Sequence, residues 1–205
     1  MRQLLKLTFA SLICASVLPA HAGTQSQIIF AALAEALEET ETPAVAGKDD
    51  WLFLVSELRA LGRDAFWGKG AANQNVDPFH AVTDLNEKLK ALNIDLILCP
   101  APPRAVIYAD KILEAPPRDE QGVLQRTDGQ LQGFYDALRN AGVSVLDVTD
   151  ALMAARADDE ALGPVSCEQD SHWSPRGLGI VAKAVAKEVR KKRDYAAPEK
   201  VPFTV

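Results

Sequence analysis

An α/β fold with a mostly parallel central sheet is what this chain predicts, and two observations predict it. Over residues 79–156, helical apolar stripes alternate with short continuous apolar runs, and Gly and Pro clusters punctuate them. Parallel strands need a crossover long enough to be a helix, so this alternation builds a parallel sheet covered by helices. A third observation locates the chemistry. Asp170-Ser171-His172 is followed at once by Trp173-Ser174-Pro175 and a new apolar stripe.

The first residues read as a targeting segment. Arg2 and Lys6 form a basic start, residues 7–18 an apolar stretch, and Ala20-His21-Ala22 a small-x-small cleavage site. The run is short for a bilayer span, and Ile13 before Cys14 argues against a lipoprotein signal. Cleavage after Ala22 is expected, with export to the periplasm and one domain over residues 23–205. Losing Arg2 and Lys6 moves the formal net charge from -6 to -8. So acidic a chain is a poor general binder of nucleic acid, and an anionic glycan would need a local basic groove. No later segment is apolar and long enough to cross a membrane.

Residues 28–39 read as a helix through Ile29, Leu33, Ala36 and Leu37, and residues 40–46 as a linker around Pro43. Gly47-Lys48-Asp49-Asp50 is a turn into Trp51-Leu52-Phe53-Leu54-Val55, a run suited to a buried strand. Residues 62–78 read as a surface excursion. Next come a helix at 79–92 through Val82, Leu85, Leu89 and Leu92, and a strand at 94–99 closed by Pro100-Ala101-Pro102-Pro103. Residues 109–124 are a second excursion. Residues 131–141 form a helix with Leu131, Phe134, Tyr135 and Leu138 on one side, stopped by Gly142. The next strand is 143–147, and Thr149 caps a short helix to Arg156. The last helix has Ser174 as N-cap, Pro175 at its first position and a stripe of Leu178, Val181, Ala182, Val185 and Val189.

An aspartate two residues before a histidine points to the same side of an extended segment. Its carboxylate then accepts a hydrogen bond from one ring nitrogen, fixes the tautomer and leaves the other nitrogen as a base. Asp170 and His172 are therefore candidate catalytic residues, two thirds of a Ser-His-Asp acyl-transfer site; the alternative is a loop-capping pair. Open parallel sheets bind ligands beyond the carboxyl ends of their strands. Residues 100–104, Asp147 and the Asp170/His172 loop are expected to gather there.

Four stretches, in order, resemble the alginate O-acetyltransferase family of AlgX and AlgJ type. Gly47-Lys48-Asp49-Asp50-Trp51-Leu52-Phe53-Leu54 with Glu57-Leu58 is similar to that family's opening G-x-D-G-W-L-F-L block. Pro100-Ala101-Pro102-Pro103-Arg104 with Ile107-Tyr108 is similar to its P-x-P-P-K-x-x-I-Y segment, and residues 142–147 to its G-V-x-V-x-D strand. Asp170-Ser171-His172-Trp173-Ser174-Pro175-Arg176-Gly177 is similar to D-T-H-W-T-P-x-G, the most specific of the four. The resemblance implies a three-layer SGNH-hydrolase-like fold with a mostly parallel central sheet, its C-terminal part missing here. It also implies acetyl transfer through a serine to an exopolysaccharide such as alginate. His172 would be general base and acid and Asp170 its orienting group, with no metal or organic cofactor and an acetyl donor or membrane acetyl-transfer partner.

One departure bears on activity. The family's nucleophilic serine lies downstream of the D-x-H block in a G-[DT]-S-[FY] segment, and neither G-D-S nor G-T-S occurs in this chain. After Ala22 the serines are Ser26, Ser56, Ser144, Ser166, Ser171 and Ser174, none in a nucleophile-elbow context. A truncated product, or a homologue without its own nucleophile and active only if a serine is supplied, is the expectation. The alternatives are a non-catalytic glycan-binding or assembly component and a purely structural exported domain.

Other residues carry competing readings. Arg104 sits where the site is expected to gather and is a candidate contact for an anionic substrate, against a role in solvating its loop. Trp173 either stacks on a sugar ring or braces the histidine loop. Cys99 and Cys167 form an even pair that permits a disulfide in an oxidising compartment, with two free thiols as the alternative. Cys167, Asp170 and His172 are a poor zinc set because they mix soft and hard ligands around one histidine. His80 reads as a surface or capping residue, Trp51 and Phe53 as core, and residues 190–193 as a solvated helix end.

Overall fold

The computed structural model describes residues 25–37, 42–63, 66–72 and 76–192. The targeting segment read at residues 1–22 lies outside them, as does part of the linker. Helix α1 (Gln25–Ala36) packs along α2 (Val55–Gly62), burying Phe30, Ala34 and Leu37 with Leu58 and Leu61.

The Trp51 block forms the expected strand, but its partner was not expected. Strand β1 (Ala44–Ala46) pairs antiparallel with β2 (Leu52–Leu54), so the presumed linker supplies a strand. The reversal is tight because Asp49 and Asp50 take left-handed φ of 53° and 62° while the Gly47 amide donates to the Trp51 carbonyl at 2.7 Å. Trp51 and Phe53 are core, as read, and stack on one another.

Helix α3 (Pro78–Ala91) carries Pro78 at its start, and Asp77 caps it by accepting from the Phe79 amide. Its stripe is only partly used. Val82 packs on the second core, whereas Leu85 and Leu92 face outward, Leu92 68% exposed. Asn86 is the buried residue, its amide reaching the Gly142 carbonyl at 3.4 Å.

The two strands expected to be parallel neighbours are so, though short. Strand β3 (Ile97–Leu98) pairs parallel with β4 (Ser144–Val145), in register Ile97 with Ser144. Helix α6 (Gly129–Asn140) runs between them in sequence and ends at Gly142, whose φ of +81° a side chain would resist. The described residues thus hold two two-stranded sheets, one antiparallel and one parallel, in place of one continuous sheet.

Two further corrections are local. Residues 104–112, read as the end of a loop and the start of an excursion, form the short helices α4 (Arg104–Ile107) and α5 (Ala109–Ile112), with residues 105–109 fully buried. Helix α4 packs on α2 and α7 and α5 on the turn at residues 48–50, contacts that no local pattern advertises. Helix α7 (Thr149–Ala155) is capped by the Asp147 carboxylate, which accepts from the Thr149 amide and hydroxyl, and not by Thr149 itself. A short helix α8 (Asp159–Leu162) and then α9 (Pro175–Val189) complete the described chain.

The main core gathers Phe30, Trp51, Phe53, Leu58, residues 105–109, Val148, Leu152, Val165 and Val181. A second cluster of Phe134, Tyr135, Leu138 and Val143 lies under Phe66, Trp67 and Phe79, drawing the expected excursion at 62–78 into the packing.

Candidate active-site loop

The loop that presents His172 is held at both ends. Upstream, the Val165 amide donates to the Tyr108 hydroxyl at 2.9 Å, and that hydroxyl donates to Asp159 at 2.8 Å. Burial, then the bond to Asp159, pushes the Tyr108 phenol far above its usual range and keeps it a neutral donor. Across the loop, the Ser174 amide donates to the Val165 carbonyl and the Cys167 amide to the His172 carbonyl, each at 3.0 Å. Residues 166–173 therefore form a narrow reversal with Asp170 and Ser171 at its tip.

Downstream, α9 begins as its sequence dictates. The Ser174 hydroxyl accepts from the Gly177 amide at 3.2 Å and donates to the Pro164 carbonyl at 2.6 Å, with Pro175 in the first turn. The buried face differs from the expected stripe. It runs through Gly177, Val181, Ala184 and Val185, with Ile180, while Leu178 stands 57% exposed. Gly177 sets this rotation: a Cβ there would lie 2.0 Å from the Val165 carbonyl oxygen.

At the tip, Asp170 Oδ1 meets His172 Nδ1 at 2.5 Å and also accepts from the His172 amide at 2.9 Å. Both side chains are open to solvent, 60% exposed for Asp170 and 83% for His172. The side-chain bond to His172, then the backbone bond, holds the Asp170 carboxyl below its usual range. An ion pair this exposed contributes little to folding. Its chemical effect is orientation, because with Nδ1 tied to a carboxylate, Nε2 is the nitrogen left to exchange protons.

Arg104 joins this loop in a different role from the expected one. It is 6% exposed. One Nη donates to the carbonyls of Cys167 at 2.6 Å, Glu168 at 3.4 Å and Asp170, and the other to the carbonyl of Leu52. The guanidinium is buried, and its Nη donors are taken up by these main-chain carbonyls. Its Nε finds no partner among the described residues. Burial lowers its pKa, opposed by the carboxylates of Glu57 and Asp170. Glu57, which sequence reasoning passed over, accepts from the Ala105 amide at 2.9 Å and is itself raised by burial. Its place in the Trp51 block was the only signal for it.

Trp173 is partly buried against the main core and faces Ser166 across the loop. Cys99 and Cys167 are both free thiols, so the possible disulfide is not formed. The Cys167 thiol is directed to the Trp173 carbonyl at 3.8 Å, and Cys99 packs on the core with its pKa raised by burial, then by Asp147. His80 lies on the surface 3.9 Å from Asp77.

Asp147 does not join the histidine loop through any described hydrogen bond or ion pair. It pairs with Arg126 at 2.7 Å, in a cluster with Asp128 and Asp150. A cavity of about 560 Å³ lies beside that cluster, lined by Arg126, Asp150, Met153 and Arg156 among others, and includes none of the expected site residues. Among the described residues, no group of three or more His, Cys, Asp or Glu side chains is placed to hold a metal ion.

An exposed Asp–His pair on a reversal ahead of a capped helix, over an α/β core, is an arrangement of the hydrolase-like kind. The chain belongs to the family described as "SGNH hydrolase-like domain, acetyltransferase AlgX", which matches residues 44–205. It is 28% identical over 163 residues to the probable alginate O-acetylase AlgJ of Pseudomonas aeruginosa, covering 79% of this chain and 37% of that protein. It is 27% identical over 147 residues to the protein of the same description from Azotobacter vinelandii, covering 71% and 33%. The chain thus spans about a third of the length of these relatives. Among solved structures it is similar to the O-acetyltransferase domain of Pseudomonas putida AlgJ, with a TM-score of 0.54 at 24% identity over 72% of this chain and 47% of that one. It is also similar to Pseudomonas aeruginosa AlgX, with a TM-score of 0.53 at 20% identity over 74% and 32%. These likenesses establish an SGNH-hydrolase-like fold.

Proposed function

We propose that this chain supplies the acid–base pair of an O-acetyl transfer site that modifies an exopolysaccharide such as alginate in the periplasm. The observation that carries the reading is the 2.5 Å Asp170–His172 bond on a solvent-open loop within the D-S-H-W-S-P block. The names of the relatives, probable alginate O-acetylases, support the substrate class. Among the described residues no helix is long and apolar enough to cross a membrane. The basic start, apolar stretch and Ala20-His21-Ala22 support export, with residues 23–205 as the exported domain. The parallel β3–β4 pair supports a central sheet of the three-layer kind.

In the reaction so read, Asp170 accepts a hydrogen bond from the Nδ1–H of His172 and keeps its own charge. Nε2 then takes the proton of a serine hydroxyl as its oxygen attacks the acetyl carbonyl, and returns that proton to the departing donor group. In the second half, Nε2 takes the proton of a sugar hydroxyl, which attacks the acetyl-serine, and gives it back to the serine oxygen. None of the described serines is hydrogen-bonded to the His172 ring. Ser174 is engaged in the helix cap, Ser166 is buried, and Ser56 and Ser144 belong to α2 and β4. Among the described residues, the hydrogen bonds to the His172 ring come from Asp170 alone. That observation also favours the second reading, a glycan-binding or assembly component that keeps the loop without the chemistry.

The chain is expected to show negligible acetyl-ester turnover and no labelling by a fluorophosphonate. General-base activation of water leaves weak hydrolysis, about a hundredfold or more over background. That residue of activity should vanish in His172→Ala and survive alanine replacement of every serine. Robust turnover abolished by changing one of Ser56, Ser144, Ser166, Ser171 or Ser174 would overturn this assignment. Saturable alginate binding without turnover would select the glycan-binding reading.

A further inference from the structure

We propose that Arg104 is a positioning residue: its guanidinium fixes the main chain beneath Asp170 and thereby sets the tautomer of His172. The inference rests on the acid–base reading of that pair and adds the group that holds it in place. Arg104 donates to the carbonyls of Cys167, Glu168 and Asp170 on the loop and to the carbonyl of Leu52 on β2. The Leu52 amide closes the same junction by donating to the Glu168 carbonyl at 2.9 Å. Asp170 is therefore held twice, by its carbonyl to Arg104 and by its carboxylate to His172.

The chemistry of the partners sets this arginine apart. A buried guanidinium usually meets a carboxylate, where charge neutralisation explains its presence. Here its donors go to neutral carbonyls of segments 52–66 residues apart in sequence. Such a fork, planar and rigid, constrains directions that a lysine ammonium does not. It lies across Phe53, 5.3 Å from the ring centroid, and Glu57 caps the helix that begins at Arg104. The Trp51 block, the Pro100–Arg104 segment and the histidine block thus meet at one side chain. Without it the loop keeps the Leu52–Glu168 and Cys167–His172 main-chain bonds but loses the tie on the Asp170 carbonyl itself.

The test is nitrogen-15 NMR of the His172 ring, at a pH where the imidazole is neutral, in the wild-type chain, Arg104→Lys and Arg104→Met. The wild type is expected to be mainly the Nδ1–H tautomer. Both variants should shift toward Nε2–H, and their His172 and Cys167 amides should exchange about tenfold faster or more, as expected when charge-assisted bonds are removed. Amides of α3 and α6 should keep wild-type rates. Folded variants with an unchanged tautomer and unchanged loop exchange would overturn the proposal. If neither variant folds, exchange in the wild-type chain at low denaturant decides. The Leu52 and Cys167 amides must then open together, and a Cys167 amide that opens while that of Leu52 stays closed refutes it. No substrate enters the measurement, so absence of acetyl transfer leaves this result standing, and a failed tautomer test leaves the acetyl-transfer assays untouched.

Discussion

Two arginines organise two regions that topology alone assigns to the same sheet edge, and they do so in opposite ways. Arg104, under the histidine loop, donates to backbone carbonyls, and burial lowers its pKa. Arg126, which precedes α6 and reaches the β4–α7 turn, bonds Asp128 at 2.6 Å and Asp147 at 2.7 Å and approaches Asp150 at 3.2 Å. There burial opposes the charge, but the carboxylates outweigh it and raise the pKa. Asp147 is lowered in turn: burial pushes it up, and the bonds from Thr149 and Arg126 more than reverse this. The same side chain is a neutralising counter-ion in one place and a backbone clamp in the other. The difference is chemical economy: the first arrangement stabilises charges the fold has buried, while the second orders a loop whose own side chains stay in water.

Removing the counter-ion should produce the largest loss. Arg126→Ala leaves the fully buried Asp128 uncompensated and is expected to cost about 3 kcal/mol, as when one partner of a buried pair is removed. Urea unfolding measures it, and the His172 tautomer should be unchanged. A tautomer that moved would erase the contrast between the two arginines. Gly177→Ala comes next, because its Cβ would meet the Val165 carbonyl at 2.0 Å. Overpacking of this kind costs about 2 kcal/mol, and it should loosen α9 and the histidine loop together in amide exchange while sparing the Arg126 cluster.

Asp170→Asn sharpens the other side. The pair is exposed, so the melting temperature should hold, while the His172 ring shifts toward the other tautomer because an amide can donate where the carboxylate only accepted. The pH dependence has a definite sign. Asp170 titrates below its ordinary 3.8 in the folded chain, so its contribution is present above the unfolded carboxylate value and is lost as pH falls through the lower folded one. A carbon-13 titration of its carboxyl should find a midpoint under 3.8; a midpoint at or above that value would remove the bond from solution. The smallest effect concerns the thiols. Cys99 and Cys167 should both titrate as free thiols in denaturant, and native Cys99 should alkylate slowly because burial keeps it protonated.

Much of this was legible. The α3, α6 and α9 spans follow from periodicity, with Gly142, Ser174 and Pro175 as punctuation for the last two. The i, i+2 spacing of Asp170 and His172 predicted a bond that the loop makes. The β1 strand was not legible, because three small residues in a Pro-flanked stretch carry no strand pattern until a partner is present. The outward face of α3 was misread for the opposite reason: its stripe is real, but Leu85 and Leu92 are not covered within the described residues.

By itself the sequence determined what depends on near neighbours: helix starts and stops, an α/β alternation, the apolar Trp51 and Phe53, and a histidine placed just ahead of a capped helix. Those features rest on spacing, caps and turn chemistry, which act over a few residues. Only the tertiary structure decided that Arg104 faces inward, that Asp147 answers to Arg126, that Cys99 and Cys167 stay apart, and which side of α9 is buried. Each of these rests on contacts between segments distant along the chain, such as the 63 residues separating Arg104 from Cys167. No local preference encodes them, because a guanidinium has the same donors whether it meets a carboxylate, a carbonyl or water, and only packing chooses among the three.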